Sequence, residues 1–343
     1  MDDCALKAKG LAQGACSVET DEGILTACRA TLRQRNGTLE RRITSIHLSR
    51  PENYLSIYQS GCNLSCRKCH SSEFTRHAQG TWLSPRELAA AVREYKALVN
   101  LREPRERATT YHAQDTCRCC GRCVVTGERS PGCPGTLERE KVLLSPQGFG
   151  PARNIVAFTG GDLLCRPDFF AECARGIKEE TGLWILLETN GYGLTGANLD
   201  LLKDAGVDAF WLDIKAFDPA HHRELTGVDN ERILGLPGEM LSRGFVLEVL
   251  SLCIPGLVEA GELGEIAALL ASVDPEIPFT ILAFFPAYRM EDVRSPTADE
   301  MASAYEICRD RGLRKIRLGN LGVFVRTPAD LKMLRERVGE DAL

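Results

Sequence analysis

Over residues 154–338, short apolar runs alternate with helical segments, and few folds accept such a chain. NIVAFTGGD, LWILLETNG, VDAFWLDIK, FVLEVLSLCIPG, PFTILAFFP and KIRLGN read as strands. Between them, helices are expected over 168–181, in LDLLKDAG up to Gly206, over 230–243, in LGEIAALLASV and in TADEMASAYEICRDRG. The last of these opens on a capping box formed by Thr297 and Glu300. A final helix is expected from about Pro328 to Val338. Strands joined by helical crossovers lie parallel in one sheet. These strands are near-continuously apolar, as strands covered on both faces are. With YLSIY at 54–58 ahead of them, they make about six units, whereas a closed barrel of this kind has about eight. The expected fold is α/β, a partial (β/α)6 barrel of parallel strands.

Two segments interrupt this plan. Residues 1–50 form an N-terminal extension of mixed composition, and residues 102–153 form a Cys-rich insertion that is polar and rich in Gly and Pro. The partial barrel therefore covers 51–343, with the insertion between its first and second strands. Ahead of the insertion, Ser84-Pro85-Arg86-Glu87 predicts a helix start, with an N-cap, a proline at the first helical position and a capping-box glutamate. Apolar spacing carries that helix to about Leu101.

A 44% apolar fraction supports a full core, and a net charge of -5 argues against a mainly electrostatic nucleic-acid binder. No apolar run reaches the roughly 18 residues of a membrane span. The start, MDDCALKAKG, lacks the layout of a secretory signal, so a cytoplasmic location is expected, with no membrane partner. Fifteen cysteines, mostly bunched, point to metal or cluster ligation in a reducing compartment. Cys165, Cys173, Cys253 and Cys308 stand singly in apolar or helical contexts and read as buried thiols.

In parallel α/β architectures, ligands bind at the carboxyl ends of the strands. The chemistry-bearing residues fall there. GCNLSCRKCH follows the first strand, with Cys62, Cys66 and Cys69 spaced C-x3-C-x2-C. Gly160-Gly161-Asp162 follow the second, Glu188-Thr189-Asn190-Gly191 the third, and Asp213 to Lys215 close the fourth. Three thiolates on a tight loop can hold three corners of a four-iron cluster and leave the fourth iron for a small molecule. Structural zinc wants a fourth protein ligand, and His70, next to Cys69, is poorly placed to chelate with it. Paired glycines let the backbone approach a ligand closely, and the carboxylates and Lys215 can meet an amine, ribose hydroxyls or a carboxylate.

Together these motifs resemble the radical S-adenosylmethionine (radical SAM) superfamily. GCNLSCRKCH looks like its cluster signature and TGGD like its second-strand element. ETNGY, WLDIKAFD, HHRELTGVDNERIL, IPG and FFPAYRM resemble the branch of pyruvate formate-lyase activating enzymes, over about residues 52–320. The resemblance implies that Cys62, Cys66 and Cys69 bind a [4Fe-4S] cluster and that Lys68 and His70 flank bound SAM. It implies that Gly160, Gly161 and Asp162 receive the methionine amine, that Asp213 and Lys215 approach SAM, and that Glu188 lies near the ribose or a cation, with Asn190 beside it. Where the family commonly has glutamate this chain has Asp162, one methylene shorter. Activating enzymes often carry a histidine near the sixth strand, and here the matching position is Phe285. The implied chemistry is reductive cleavage of SAM to a 5′-deoxyadenosyl radical that abstracts hydrogen from a glycine of a partner glycyl-radical enzyme. Flavodoxin or ferredoxin is the implied electron donor. A small-molecule or peptide substrate is the alternative, and a non-catalytic iron–sulfur or zinc protein is a third reading.

The insertion adds Cys117, Cys119, Cys120, Cys123 and Cys133. Five thiols cannot complete two four-cysteine clusters, and their spacing is not the ferredoxin run. One auxiliary iron–sulfur cluster or a structural zinc knuckle both fit. Cys4, Cys16 and Cys28 could supply another site, but no pair of them stands at chelating separation in sequence, and the simpler reading is free thiols of a surface segment.

Overall fold

The computed structural model describes residues 4–343. Seven strands run parallel and lie side by side in chain order: β1 (Leu55–Gln59), β2 (Ile155–Gly160), β3 (Trp184–Thr189), β4 (Ala209–Asp213), β5 (Val246–Cys253), β6 (Phe279–Ala283) and β7 (Ile316–Gly319). Helices cross between them: Asp168–Thr181, Gly196–Asp204, Glu231–Ser242, Ala260–Val273 and Ala298–Asp310. The expected α/β partial barrel is what forms. Strand and helix alternate through six units, and a seventh strand follows. The sheet has ten strands and does not close: β7 pairs only with β6 at one end, and Leu32–Arg35 and Thr81–Leu83 pair only with Thr38–Leu48 at the other.

The extra strands come mainly from the N-terminal extension. Thr38–Leu48 runs antiparallel beside β1, and Leu32–Arg35 and Thr81–Leu83 pair with it in turn. The sequence did not announce Thr38–Leu48, because charged residues break its apolar alternation. One of them, Arg41, points inward and is 1% exposed. Its guanidinium donates to Gly161 O at 3.1 Å and lies over the Phe170 ring at 5.1 Å. Burial pulls its pKa down to about 10, against the opposing charge of Asp162.

Capping chemistry placed the helix starts well. Ser84 and Glu87 form both bonds of a capping box on the helix Pro85–Lys96, and Thr297 and Glu300 do the same on Ala298–Asp310. The first of these stops at Lys96 rather than Leu101. Beyond it, the amides of Asn100 and Leu101 turn to Ala152 O, and Leu101 bridges Arg153. The insertion is thereby clamped at both ends.

Much of the insertion packs under the amino ends of the strands. Ala108 joins Tyr54, Ile155, Ala157, Leu186 and Ala209 in a small apolar cluster on the inner face of the sheet. Arg153, fully buried, pairs with Glu103 and donates to Thr109 O at 2.8 Å and Arg107 O at 2.6 Å. Arg317 of β7 pairs with Asp115. Among the described residues no helix is long and apolar enough to cross a membrane.

Breaking a buried ion pair from one side leaves polar partners uncompensated. Arg153→Ala is expected to cost about 3–5 kcal/mol. Urea denaturation of wild type and variant measures it.

Candidate active site

A cavity of about 750 Å³ opens at the carboxyl ends of the strands. Cys62, Cys66, Cys69, Lys68 and His70 line it from the loop after β1. Gly160 and Asp162 reach it from β2, Glu188 and Asn190 from β3, and Asp213 and Lys215 from β4. The wall thus gathers every sequence-predicted site residue except Gly161 and the insertion cysteines.

Backbone bonds hold the cysteine loop from several sides. Asn63 N donates to Asp162 O at 2.9 Å, Arg67 N to Leu225 O at 2.8 Å, and Arg289 N to Arg67 O at 3.2 Å. Gly161 serves this packing rather than the wall: a Cβ there would lie 2.1 Å from Gly61 O. Gly160 has φ +85°, a conformation open to glycine, and a Cβ would press on the Phe74 ring at 2.8 Å. The three sulfurs do not all lie within 4.8 Å of one another. Four thiolates on one zinc ion, at about 2.3 Å each, would be closer than about 4 Å apart. The loop does not gather its three sulfurs about a single ion. Burial pushes the Cys62 and Cys66 thiols up, Cys66 to about 12, so binding a metal here releases protons.

Several buried polar atoms point into the cavity with unused capacity. Lys68 Nζ has no hydrogen-bond partner among the described residues and sits 3.4 Å from the centre of the Phe285 ring. Burial lowers its pKa to about 8. Phe285 also meets His70 edge to face, so an aromatic–cation contact occupies the position where the resemblance expects histidine. Asp213 pairs with Lys215 through Oδ2 and leaves Oδ1 buried and unbonded. Burial is the largest single influence on the Lys215 ammonium and works against it, but the charge and hydrogen bond of Asp213 together with Cys66 and Cys69 outweigh it and hold the pKa above the ordinary lysine value.

Asp162 and Asn190 are more committed than the sequence suggested. Asp162 accepts from Leu164 N at 2.8 Å, Thr189 Oγ1 at 2.7 Å and Asn190 N at 2.9 Å. Asn190 Nδ2 donates to Asn63 Oδ1 at 2.8 Å and lies 3.7 Å from Cys62 Sγ. Asn63, unremarkable in sequence, is the strut between the cysteine loop and the β3 turn. Its position inside the cysteine motif is the only signal that could have found it.

Glu188 forms part of the floor. It accepts from Tyr54 Oη at 3.0 Å and from Thr159 Oγ1, and burial raises its pKa to about 8. Deeper, Glu248 accepts from the amides of Thr110 and Tyr111 of the insertion, and burial raises it to about 7.

The insertion cysteines do not join this cavity. Cys119 N donates to Cys117 Sγ at 3.4 Å, and Cys119 Sγ approaches Asn53 Oδ1 at 3.3 Å. Cys119 adopts φ +56°. Its hydrogen bond to Cys117 holds the Cys117 thiol low, near 6. Cys120 faces Ser130, and Arg129 faces Cys133. No three of the five lie within 4.8 Å of one another.

Comparison with known proteins matches the Radical SAM superfamily over residues 117–270. The matched stretch takes in β2 to β5 and begins beyond the Cys62–Cys69 loop. A Methanocaldococcus jannaschii protein named as a candidate glycyl-radical enzyme activating enzyme is 28% identical over 156 residues, 44% of this chain and 58% of that one. The choline trimethylamine-lyase activating enzyme of Oleidesulfovibrio alaskensis is 33% identical over 100 residues, 29% of each chain. The chain thus spans little more than half of the first relative and under a third of the second. SuiB of Streptococcus suis, solved with S-adenosylmethionine, shares the fold, with a TM-score of 0.50 and 12% identity over 81% of this chain and 52% of that one. The superfamily implies a [4Fe-4S] cluster and SAM as cofactors. The residues fit both: three thiols of one loop on the cavity wall, and unbonded Asp213 Oδ1 and Lys68 Nζ beside them.

A carboxyl group with a raised pKa keeps a proton in the folded state that the unfolded chain loses. Between its ordinary 4.5 and about 8, Glu188 therefore makes stability fall as pH rises. In Glu188→Gln the decline of Tm across that window should be shallower than in wild type. Calorimetry at several pH values checks this.

Proposed function

We propose that this protein is a radical SAM enzyme whose Cys62, Cys66 and Cys69 hold the [4Fe-4S] cluster. One observation carries the reading: the three thiols share a cavity with Lys68, Asp162, Asp213 and Lys215, and two of those side chains keep buried atoms unbonded. When bound, the cluster and SAM supply a 5′-deoxyadenosyl radical by reductive cleavage at the sulfonium. The chain's own residues do the rest. Asp213 Oδ1 and Asp162 accept hydrogen bonds from the amine and hydroxyl groups of SAM, and Lys68 and Lys215 face its carboxylate. Asp162 is already engaged by three donors, so it takes only one further ligand bond. Leu250, Leu252, Leu282 and Phe285 line the cavity and keep water from the reacting centre.

The substrate is most simply a glycine in a partner protein, which becomes a glycyl radical. Two relatives named as activating enzymes support this. Low-potential flavodoxin or ferredoxin would supply the electron. For the insertion we propose one auxiliary metal centre, iron–sulfur or zinc, drawing on Cys117, Cys119, Cys120, Cys123 and Cys133.

Anaerobically reconstituted protein, given SAM and dithionite, is expected to form 5′-deoxyadenosine by chromatography. Cys62→Ala/Cys66→Ala/Cys69→Ala should form none, and full cleavage by that variant would refute the cluster assignment. With a glycyl-radical partner, electron paramagnetic resonance should show a glycine-centred doublet. Its absence, with cleavage intact, would move the substrate to a small molecule or peptide.

A further inference from the structure

The loop and the insertion account for eight of the fifteen cysteines. Cys173, Cys253 and Cys308 are buried singly in a helix, in β5 and in another helix. The other four converge. Cys4, Cys16 and Cys28 of the extension and Cys165, three residues past Asp162, line one cavity of about 310 Å³. Sequence separation hid this, because the chain doubles back through the hairpin of Ser17–Thr20 and Gly23–Thr26. Ala27 N donates to Cys16 O at 2.7 Å, bringing Cys28 beside Cys16. Lys9 Nζ donates to Cys165 O at 2.6 Å and Asn198 Oδ1 at 2.9 Å, stapling the extension over the turn after β2. Cys16 and Cys165 are buried, which corrects the reading of Cys16 as a surface thiol.

The surroundings suit a thiolate centre. Lys7, Arg29 and Arg166 line the same cavity, and no carboxylate does so among the described residues. Positive charge offsets that of four thiolates. No three of these sulfurs lie within 4.8 Å of one another. A four-iron cluster is larger than a single zinc ion, and the cavity of about 310 Å³ between the four cysteines leaves room for one. Asn63 lines this cavity too, and its side chain touches Cys62 and Asn190 on the wall of the other. Asp162 and Leu163, neighbours in the chain, likewise line one cavity each, so the two sites are adjacent.

We propose that Cys4, Cys16, Cys28 and Cys165 hold a second [4Fe-4S] cluster, closed by four thiolates. It accepts one electron from an external low-potential donor protein, which is oxidised by one electron, and returns to its oxidised state on passing that electron to the cluster on Cys62, Cys66 and Cys69. The relay role rests on the function proposed above. The site itself does not.

The test counts iron and labile sulfide after anaerobic reconstitution of the full chain. Cys62→Ala/Cys66→Ala/Cys69→Ala should retain iron–sulfur, with a reduced-state resonance that SAM does not perturb. Adding Cys16→Ser/Cys165→Ser should remove about four irons per chain, whatever the insertion holds. Cys4→Ser/Cys28→Ser, at partly exposed positions, should cause the same loss while circular dichroism confirms folding. Unchanged iron on adding either pair, or zinc in its place, would overturn the site. For the relay, Cys16→Ser/Cys165→Ser in the wild-type background should lower the ratio of donor-driven to dithionite-driven SAM cleavage several-fold. An unchanged ratio would overturn that role. A wild type that cleaves no SAM would refute the proposed function while the iron count still decides the site.

Discussion

The candidate site depends on a backbone contact that only glycine permits. Gly161, just past β2, lies so close to the carbonyl of Gly61 that any side chain would collide with it. This contact presses the cysteine loop against the turn that carries Asp162. Asn63 N to Asp162 O then locks the register, and Arg41 caps Gly161 O from the neighbouring strand. Every later element of the site is positioned relative to this junction: Asn190 braces Cys62 through Asn63, and Asp162 anchors the β3 turn.

Around this junction the open sheet is closed by unlike means. At its amino end the insertion supplies Ala108 to the apolar cluster and two amides to Glu248. At its carboxyl end the N-terminal extension lies across the turn after β2, held by Lys9. The lumen between them carries Glu188 and Glu248, two carboxyl groups that burial makes reluctant to ionise.

Much of this was legible in the chain. Helix starts were marked by local chemistry, as at Ser84 and Glu87 or Thr297 and Glu300, where a side chain and an amide three residues away bond each other. Strands β2 to β6 were marked by apolar runs. Boundaries failed where distant backbone competed: the first helix stops at Lys96 because Asn100 and Leu101 bond Ala152. The strand Thr38–Leu48 was hidden because an inward arginine breaks the expected alternation. Asn63 and Asn190 were visible only as motif neighbours, and their bracing of Cys62 needed coordinates.

The sequence by itself determined what covalent spacing controls. Three thiols within eight positions must share one loop, and parallel strands must deliver their terminal residues to one rim. Only the tertiary structure decided which of those residues keep free hydrogen-bonding capacity. It left Asp213 Oδ1 and Lys68 Nζ unbonded and occupied Asp162 and Asn190. It also brought Cys165 to Cys4, Cys16 and Cys28. Neither outcome follows from spacing, because both depend on packing between segments up to about 160 residues apart, and chain length says little about which distant segments meet.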